Sequence, residues 1–169
     1  TYGWIGAAIR EEVIKKNKRT YSAHITAHLY AADRLLLYQR ILLPALAQGK
    51  HVLQSRSVLS SLVYQPLQEH FPNEDQLRIE DVLQLEGNRF AFAHAPDLLI
   101  ISSVYDVDAA IGRLAQREKK DGSIFENKEF LQKLQSVYQS NYVRYLFESW
   151  GTVVRYLDTS MSIEETKEQ

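Results

Sequence analysis

Apolar residues recur at the three-to-four step near the start of the chain, at Ile5, Ala8, Ile9, Val13 and Ile14, with charges on the opposite side. This spacing predicts an amphipathic helix, closed by the basic run KKNKR at residues 15–19. A longer helix is predicted from Ser22 to Leu46, with an apolar side of Ile25, Leu29, Leu36, Tyr38, Ile41 and Leu42. Pro44 marks its last turn or a kink, because proline removes a helical N–H and crowds the preceding turn. Gly49 breaks that helix, and Val52-Leu53-Gln54 reads as a short buried strand. A helix from Val58 to Leu67 follows, ending near Pro66. The stretch FPNED at residues 71–75 is a turn, and Ile79 to Phe92 reads as helix. Pro96-Asp97 leads into LLIISSV, whose apolar run of Leu98 to Ile101 predicts a buried strand. Asp108 to Arg117 reads as helix, EKKDGS as a polar loop, and Asn127 to Ser149 as one long helix. Gly151 separates that helix from TVVRYLD, a third strand. Ser160 or Ser162 caps a last helix, with Glu164 and Glu165 favourable in its first turn.

Strands separated by helices predict a parallel α/β architecture with both sheet faces covered, of the three-layer α/β/α kind. Ligands of such sheets sit beyond the carboxyl ends of the strands, and Ser55-Arg56 occupies one of those ends. An anion there meets the free amides of the following helix and the bidentate guanidinium of Arg56. Equally, Arg56 pairs with a carboxylate across the loop; spacing alone leaves the two open. His24 and His28 stand at the i, i+4 spacing of a metal-chelating pair, but no third ligand is visible, so no metal site is assigned.

The 169 residues are 45% hydrophobic, enough for the core of a single domain over 1–169. A formal net charge of −1 gives no field that draws nucleic acid or a membrane surface. With no cysteine, thiolate chemistry and disulfides are excluded. No apolar run is long enough to span a bilayer, so a soluble, cytoplasmic protein is the expectation. The chain opens at Thr1-Tyr2-Gly3 with an amphipathic pattern and no initiator Met, which suggests an element upstream.

Seven stretches, in order and sensibly spaced over nearly the whole chain, resemble the thymidylate kinase family of P-loop enzymes. TYGWIGAAIR is similar to the segment after the family's Arg-Glu-Pro motif, and HLYAADR resembles its Leu-Phe-Ala-Ala-Asp-Arg helix. LLPALAQGKHVL looks like the run into its third strand. SRSVLSSLVYQ stands where the family has Asp-Arg-Tyr and a Ser-Ser-Leu-Ala-Tyr-Gln type helix. APDLLIISSV resembles the Pro-Asp-Leu strand, REKKDGSIFENKEFLQKLQSVY the lid and its helix, and YLDTSMSIEE the C-terminal strand and turn.

The resemblance implies a P-loop kinase fold that moves a phosphoryl group from ATP, with Mg²⁺, to dTMP or a related nucleoside monophosphate. It implies that Arg56 holds the monophosphate, that Tyr30 stacks on the base, and that Arg34 reaches the base edge. Ser60, Ser61, Tyr64 and Gln65 lie on the helix that closes over base and sugar, where Tyr64 crowds a ribose 2′-hydroxyl. Phe125 lines the pocket from the lid, about residues 113–126. Arg56 and the lid cations Arg117, Lys119 and Lys120 neutralise charge on the transferring group. Family members commonly pair, which implies a possible homodimer. The plainer readings are that Tyr30 is core, Ser60 and Ser61 are ordinary helix residues, and the lid cations are a solvated loop.

Three features depart from the family. No G-x-x-x-x-G-K-[ST] sequence occurs in the 169 residues, so the backbone cradle for ATP phosphates is absent from them. Ser55 stands where the family has Asp beside the phosphate-binding arginine, and Ser103 where it has Asp at a strand end; Ser57 also replaces an aromatic. A sheet lacking the P-loop strand has unpaired backbone groups, each costing about 1–3 kcal/mol when buried. Either upstream residues supply that strand, another chain does, or the three remaining strands re-pair; upstream residues are the expectation. The rival reading is a catalytically silent relative with a binding or structural role.

Overall fold

The computed structural model describes residues 3–14, 20–68, 75–103, 108, 111–112 and 128–168. They fall in two compact units, Thr1–His94 and Ala95–Gln169. The chain is mixed α/β and mostly helical, with a two-stranded parallel sheet.

The described residues of the first unit form helices and no strand. Helix α1 (Trp4–Ile9) runs into a π-wound turn, Arg10–Ile14, and buries Gly6, Ile9 and Val13. Helix α2 (Ala23–Leu37) starts at Ser22, whose Oγ accepts the Ile25 amide at 3.2 Å. A π-wound segment, Tyr38–Leu42, joins it to α3 (Leu43–Ala47). In that segment the Leu43 amide bonds back to the Tyr38 carbonyl. Pro44 supplies the reason: it donates no hydrogen bond, and wider winding relieves its ring's clash with the preceding turn.

The buried side of α2 differs from expectation. Ile25 and Ile41 are exposed, and the stripe that is buried is Ala23, Thr26, Ala27, Ala31 and Arg34, continued by Tyr38 and Leu42. Small side chains win these positions because another helix comes too close for large ones.

That helix is α6. The helix expected over Ile79–Phe92 is two, α5 (Ile79–Gln84) and α6 (Glu86–Ala93), parted at Leu85, whose backbone is extended at φ −62°, ψ 133°. The break lets Gly87 lie flat against α2: a Cβ there would stand 1.8 Å from the Ala31 carbonyl oxygen.

Helix α4 (Val58–Tyr64) and a 3-10 turn, Gln65–Leu67, match the expected helix ending near Pro66. The expected strand at Val52-Leu53-Gln54 is not one. Its backbone is irregular and Leu53 is wholly exposed. An extended segment needs a neighbour for its amides and carbonyls, and no strand occurs among the described residues of this unit.

In the second unit, β1 (Leu98–Ser103) and β2 (Val153–Asp158) pair in parallel from Leu98↔Val153 to Ser103↔Asp158. Both strands were legible in sequence, but burial of both sheet faces is corrected: Leu99, Ile101 and Ser103 are buried while Leu98 and Ile100 are exposed. The helix expected over Asn127–Ser149 is also two, α7 (Lys128–Tyr138) and α8 (Asn141–Glu148). Ser140 ends the one and caps the other, donating to the Val137 carbonyl at 2.7 Å and accepting the Val143 amide at 3.3 Å. Gly151, at φ 84°, then turns the chain into β2. Ser162, rather than Ser160, caps α9 (Ile163–Lys167) in a capping box with Glu165.

Of the helix expected over Asp108–Arg117, Asp108, Ile111 and Gly112 are described and are helical. The basic run at 15–19, most of FPNED and the lid at 113–126, with Arg117, Lys119, Lys120 and Phe125, lie outside the described residues. No helix among the described residues is long and apolar enough to cross a membrane.

Candidate functional site

Helix α2 carries Tyr30, Asp33 and Arg34 into the first unit. Arg34 is only 8% exposed. Its Nη1 donates to Asn88 Oδ1 on α6, and its Nη2 donates to Ser61 Oγ on α4 at 2.8 Å. Both acceptors are neutral. Asp33, the neighbouring acid, favours the charge of Arg34 by its own charge, and it accepts the Gly6 amide in the first turn of α1. That contact satisfies an amide that the helix itself leaves without a partner. A guanidinium in this position keeps its charge at neutral pH, although burial lowers its pKa to about 10. Burial likewise raises the pKa of Asp33, and those of the Tyr30 and Tyr38 hydroxyls. The charges of Arg56 and Arg34 oppose the rise at Tyr30, so these three side chains share one electrostatic neighbourhood.

Arg56 stands in the bend before α4 and is exposed. Its backbone is in the left-handed region, at φ 63°. The guanidinium carbon lies 5.1 Å from the centre of the Tyr64 ring, a cation–π contact. Of the two alternatives left open by spacing, the carboxylate is not the partner: among the described residues Arg56 makes no ion pair with a carboxylate, and it rests on an aromatic face. Nor does it end a strand, since residues 52–54 form none. One amide that α4 offers to an anion, that of Leu59, is taken by Ser57 Oγ at 3.3 Å.

The remaining expected residues on α4 divide. Ser61 is buried and bonded to Arg34, Ser60 and Tyr64 are half-buried, and Gln65 is buried. The Gln65 Oε1 atom has no hydrogen-bond partner among the described residues. The structure thus brings Tyr30, Arg34, Ser61, Arg56 and Tyr64 together on α2, α4 and the bend between them. Asn88 and Asp33 were not singled out by sequence. The one signal for Asn88 was the glycine beside it, since glycine inside a helical pattern usually has a packing reason.

Two other features are separate from this cluster. The ring of His24 donates from Nε2 to the Asp75 carbonyl at 3.0 Å, and no group of three or more metal-binding side chains occurs among the described residues. An open cavity of about 320 Å³, lined by His24, Ala27, His28 and Leu77 among others, includes none of the expected site residues. In the second unit Ser103 is buried, and its carbonyl accepts both the amide and the hydroxyl of Thr159, at 2.8 and 3.0 Å.

Comparison with known proteins gives a consistent result. A family model described as Thymidylate kinase matches residues 3–169. A probable thymidylate kinase of Pyrococcus abyssi is 32% identical over 168 residues, which is 96% of this chain and 72% of that protein. One of Pyrobaculum calidifontis is 34% identical over 136 residues, 80% of this chain and 62% of that protein. One of Methanococcus aeolicus is 31% identical over 169 residues, all of this chain and 76% of that protein. The chain therefore spans between 62% and 76% of the length of these relatives.

Proposed function

The chain belongs to the thymidylate kinase family, and on that premise we propose that it binds dTMP and supplies the monophosphate side of an ATP-dependent dTMP kinase of P-loop, three-layer fold. The observation that carries this reading is the buried Arg34 guanidinium, held by neutral Asn88 and Ser61 beside Tyr30, with Arg56 next to it on Tyr64. A guanidinium only donates, through five N–H groups. Two of Arg34's are bonded to Asn88 and Ser61. The others suit a base that presents a carbonyl oxygen at its edge, as thymine does. Tyr30 offers a ring face for the base. Arg56 leaves an aromatic face, a contact of modest strength, to meet a phosphate that returns charge-assisted hydrogen bonds.

In this reading the monophosphate needs no general base, since its oxygen is ionised at neutral pH and attacks in line. Arg56 holds that oxygen's group in place, and the lid cations Arg117, Lys119 and Lys120 with Phe125 complete the pocket. Among the described residues no set fits ATP and Mg²⁺. The chain contains no P-loop sequence, and no metal-binding cluster occurs among its described residues. No step is therefore assigned to the triphosphate or the metal.

A second reading, a silent relative that binds a monophosphate without transferring phosphate, draws support from Ser55 and Ser103 at positions where the family carries acids. Calorimetric titration of this chain with dTMP, dUMP, dCMP and AMP, followed by an assay for dTDP from ATP and Mg²⁺ on a longer protein that joins this chain to a P-loop segment, separates the readings. Tight dTMP binding with turnover supports the kinase, and binding without turnover supports the silent relative. If none of the four nucleotides binds, both readings are wrong about this cluster.

A further inference from the structure

Asn88 is fully buried, and its two ends face chemically opposite partners. Its Oδ1 accepts from Arg34, and its Nδ2 donates to the Val82 carbonyl at 2.6 Å. Arginine has no acceptor and a carbonyl has no donor, so the amide fits in one orientation only. The Leu85 break and the side-chain-free face of Gly87 bring α6 close enough to α2 for Asn88 to reach Arg34. We propose that Asn88 is the positioning residue for Arg34: the α6 amide fixes the guanidinium so that its remaining donors are aimed at the base of a bound nucleoside monophosphate. This rests on the reading that such a ligand binds beside Arg34.

A long cationic side chain otherwise loses its rotamer freedom at the moment of binding, and fixing it beforehand removes that loss from the binding step. A carboxylate in the place of Asn88 would hold Arg34 as firmly, and a neutral base edge depends more on where the guanidinium points than on its net charge. Ser61 serves as the second neutral anchor.

Two substitutions separate the halves of the clamp. Asn88→Asp keeps an acceptor for Arg34 and removes the donor to Val82. Asn88→Ser keeps a small donor near Val82 but is too short for Arg34. In calorimetric titrations of the full protein, each variant checked for an intact melting transition, Asn88→Ser is expected to weaken dTMP binding about tenfold and Asn88→Asp by no more than about threefold. Added to Arg34→Met, Asn88→Ser is expected to cost nothing further, because its effect passes through Arg34. The inference is overturned if Asp loses affinity while Ser keeps it, or if Asn88→Ser repeats its full effect in the Arg34→Met background. If Arg34→Met alone leaves dTMP affinity unchanged, the site reading itself has failed, and this inference with it.

Discussion

Replacing Arg56 by glycine and by alanine should reverse the usual stability order of those two residues. At ordinary backbone angles glycine is the less stable by about 0.5–1 kcal/mol, because it loses more freedom on folding. Arg56 sits at φ 63°, where a Cβ meets the following carbonyl. The left-handed region disfavours any residue with a Cβ by about 1–2 kcal/mol, and glycine escapes that term. The difference leaves glycine ahead of alanine by about 0.5–1 kcal/mol. Both variants lose the contact with Tyr64, worth about 0.5–1 kcal/mol at an exposed site. Alanine should therefore fall below the parent by about that amount, whereas glycine should stay within about 0.5 kcal/mol of it. Urea unfolding reads this directly: at a slope of about 2 kcal/mol/M, the glycine midpoint lies about 0.3–0.5 M above that of alanine. Alanine more stable than glycine would refute the left-handed assignment. Titration of the same two proteins with dTMP checks the role: each should bind at least about tenfold more weakly, the loss expected for a charge-assisted hydrogen bond. Undiminished binding would remove Arg56 from the site while leaving the backbone argument intact.

Three further outcomes follow from the packing and the caps. Gly87→Ala forces a methyl against the Ala31 carbonyl, and chemical denaturation should show a loss of about 3 kcal/mol, as overpacking does; an unchanged midpoint would mean α6 is not pressed on α2. Ser140→Ala removes the cap of α8 and should lower stability by about 1 kcal/mol, with Ser140→Asp retaining most of it. Hydrogen bonds from the Ser162 hydroxyl and amide hold the Glu165 carboxyl below its usual range. A depressed acid stabilises the fold above its unfolded pKa, and that contribution disappears as pH falls through the folded value. NMR titration of Glu165 should show the low pKa in the parent and a rise toward the usual range in Ser162→Ala; equal values would contradict the capping box.

Sequence by itself determined the local elements and the family. The 3.6-residue spacing placed α1, α2 and α4, the serines at 160 and 162 announced a cap for α9, and LLIISSV and TVVRYLD announced the two parallel strands. These features depend on residues a turn or a strand apart, and the chain states them directly. The motif HLYAADR put Arg34 on a helix, and SRSVLSSLVYQ put Arg56 ahead of one.

Tertiary structure decided the rest. Periodicity favours a large apolar stripe on α2, but close approach of Gly87 selected the alanines instead. The break at Leu85 goes with the same approach, which brings Asn88 to Arg34, 54 positions away in the chain. Val52-Leu53 has strand propensity, yet a strand exists only where a neighbour takes its hydrogen bonds, and in the first unit none of the described residues does. Whether Arg56 faced a carboxylate or a ring of its own chain was likewise undecidable from spacing. A guanidinium on a long side chain takes the best partner that three-dimensional packing offers, and here that partner is Tyr64.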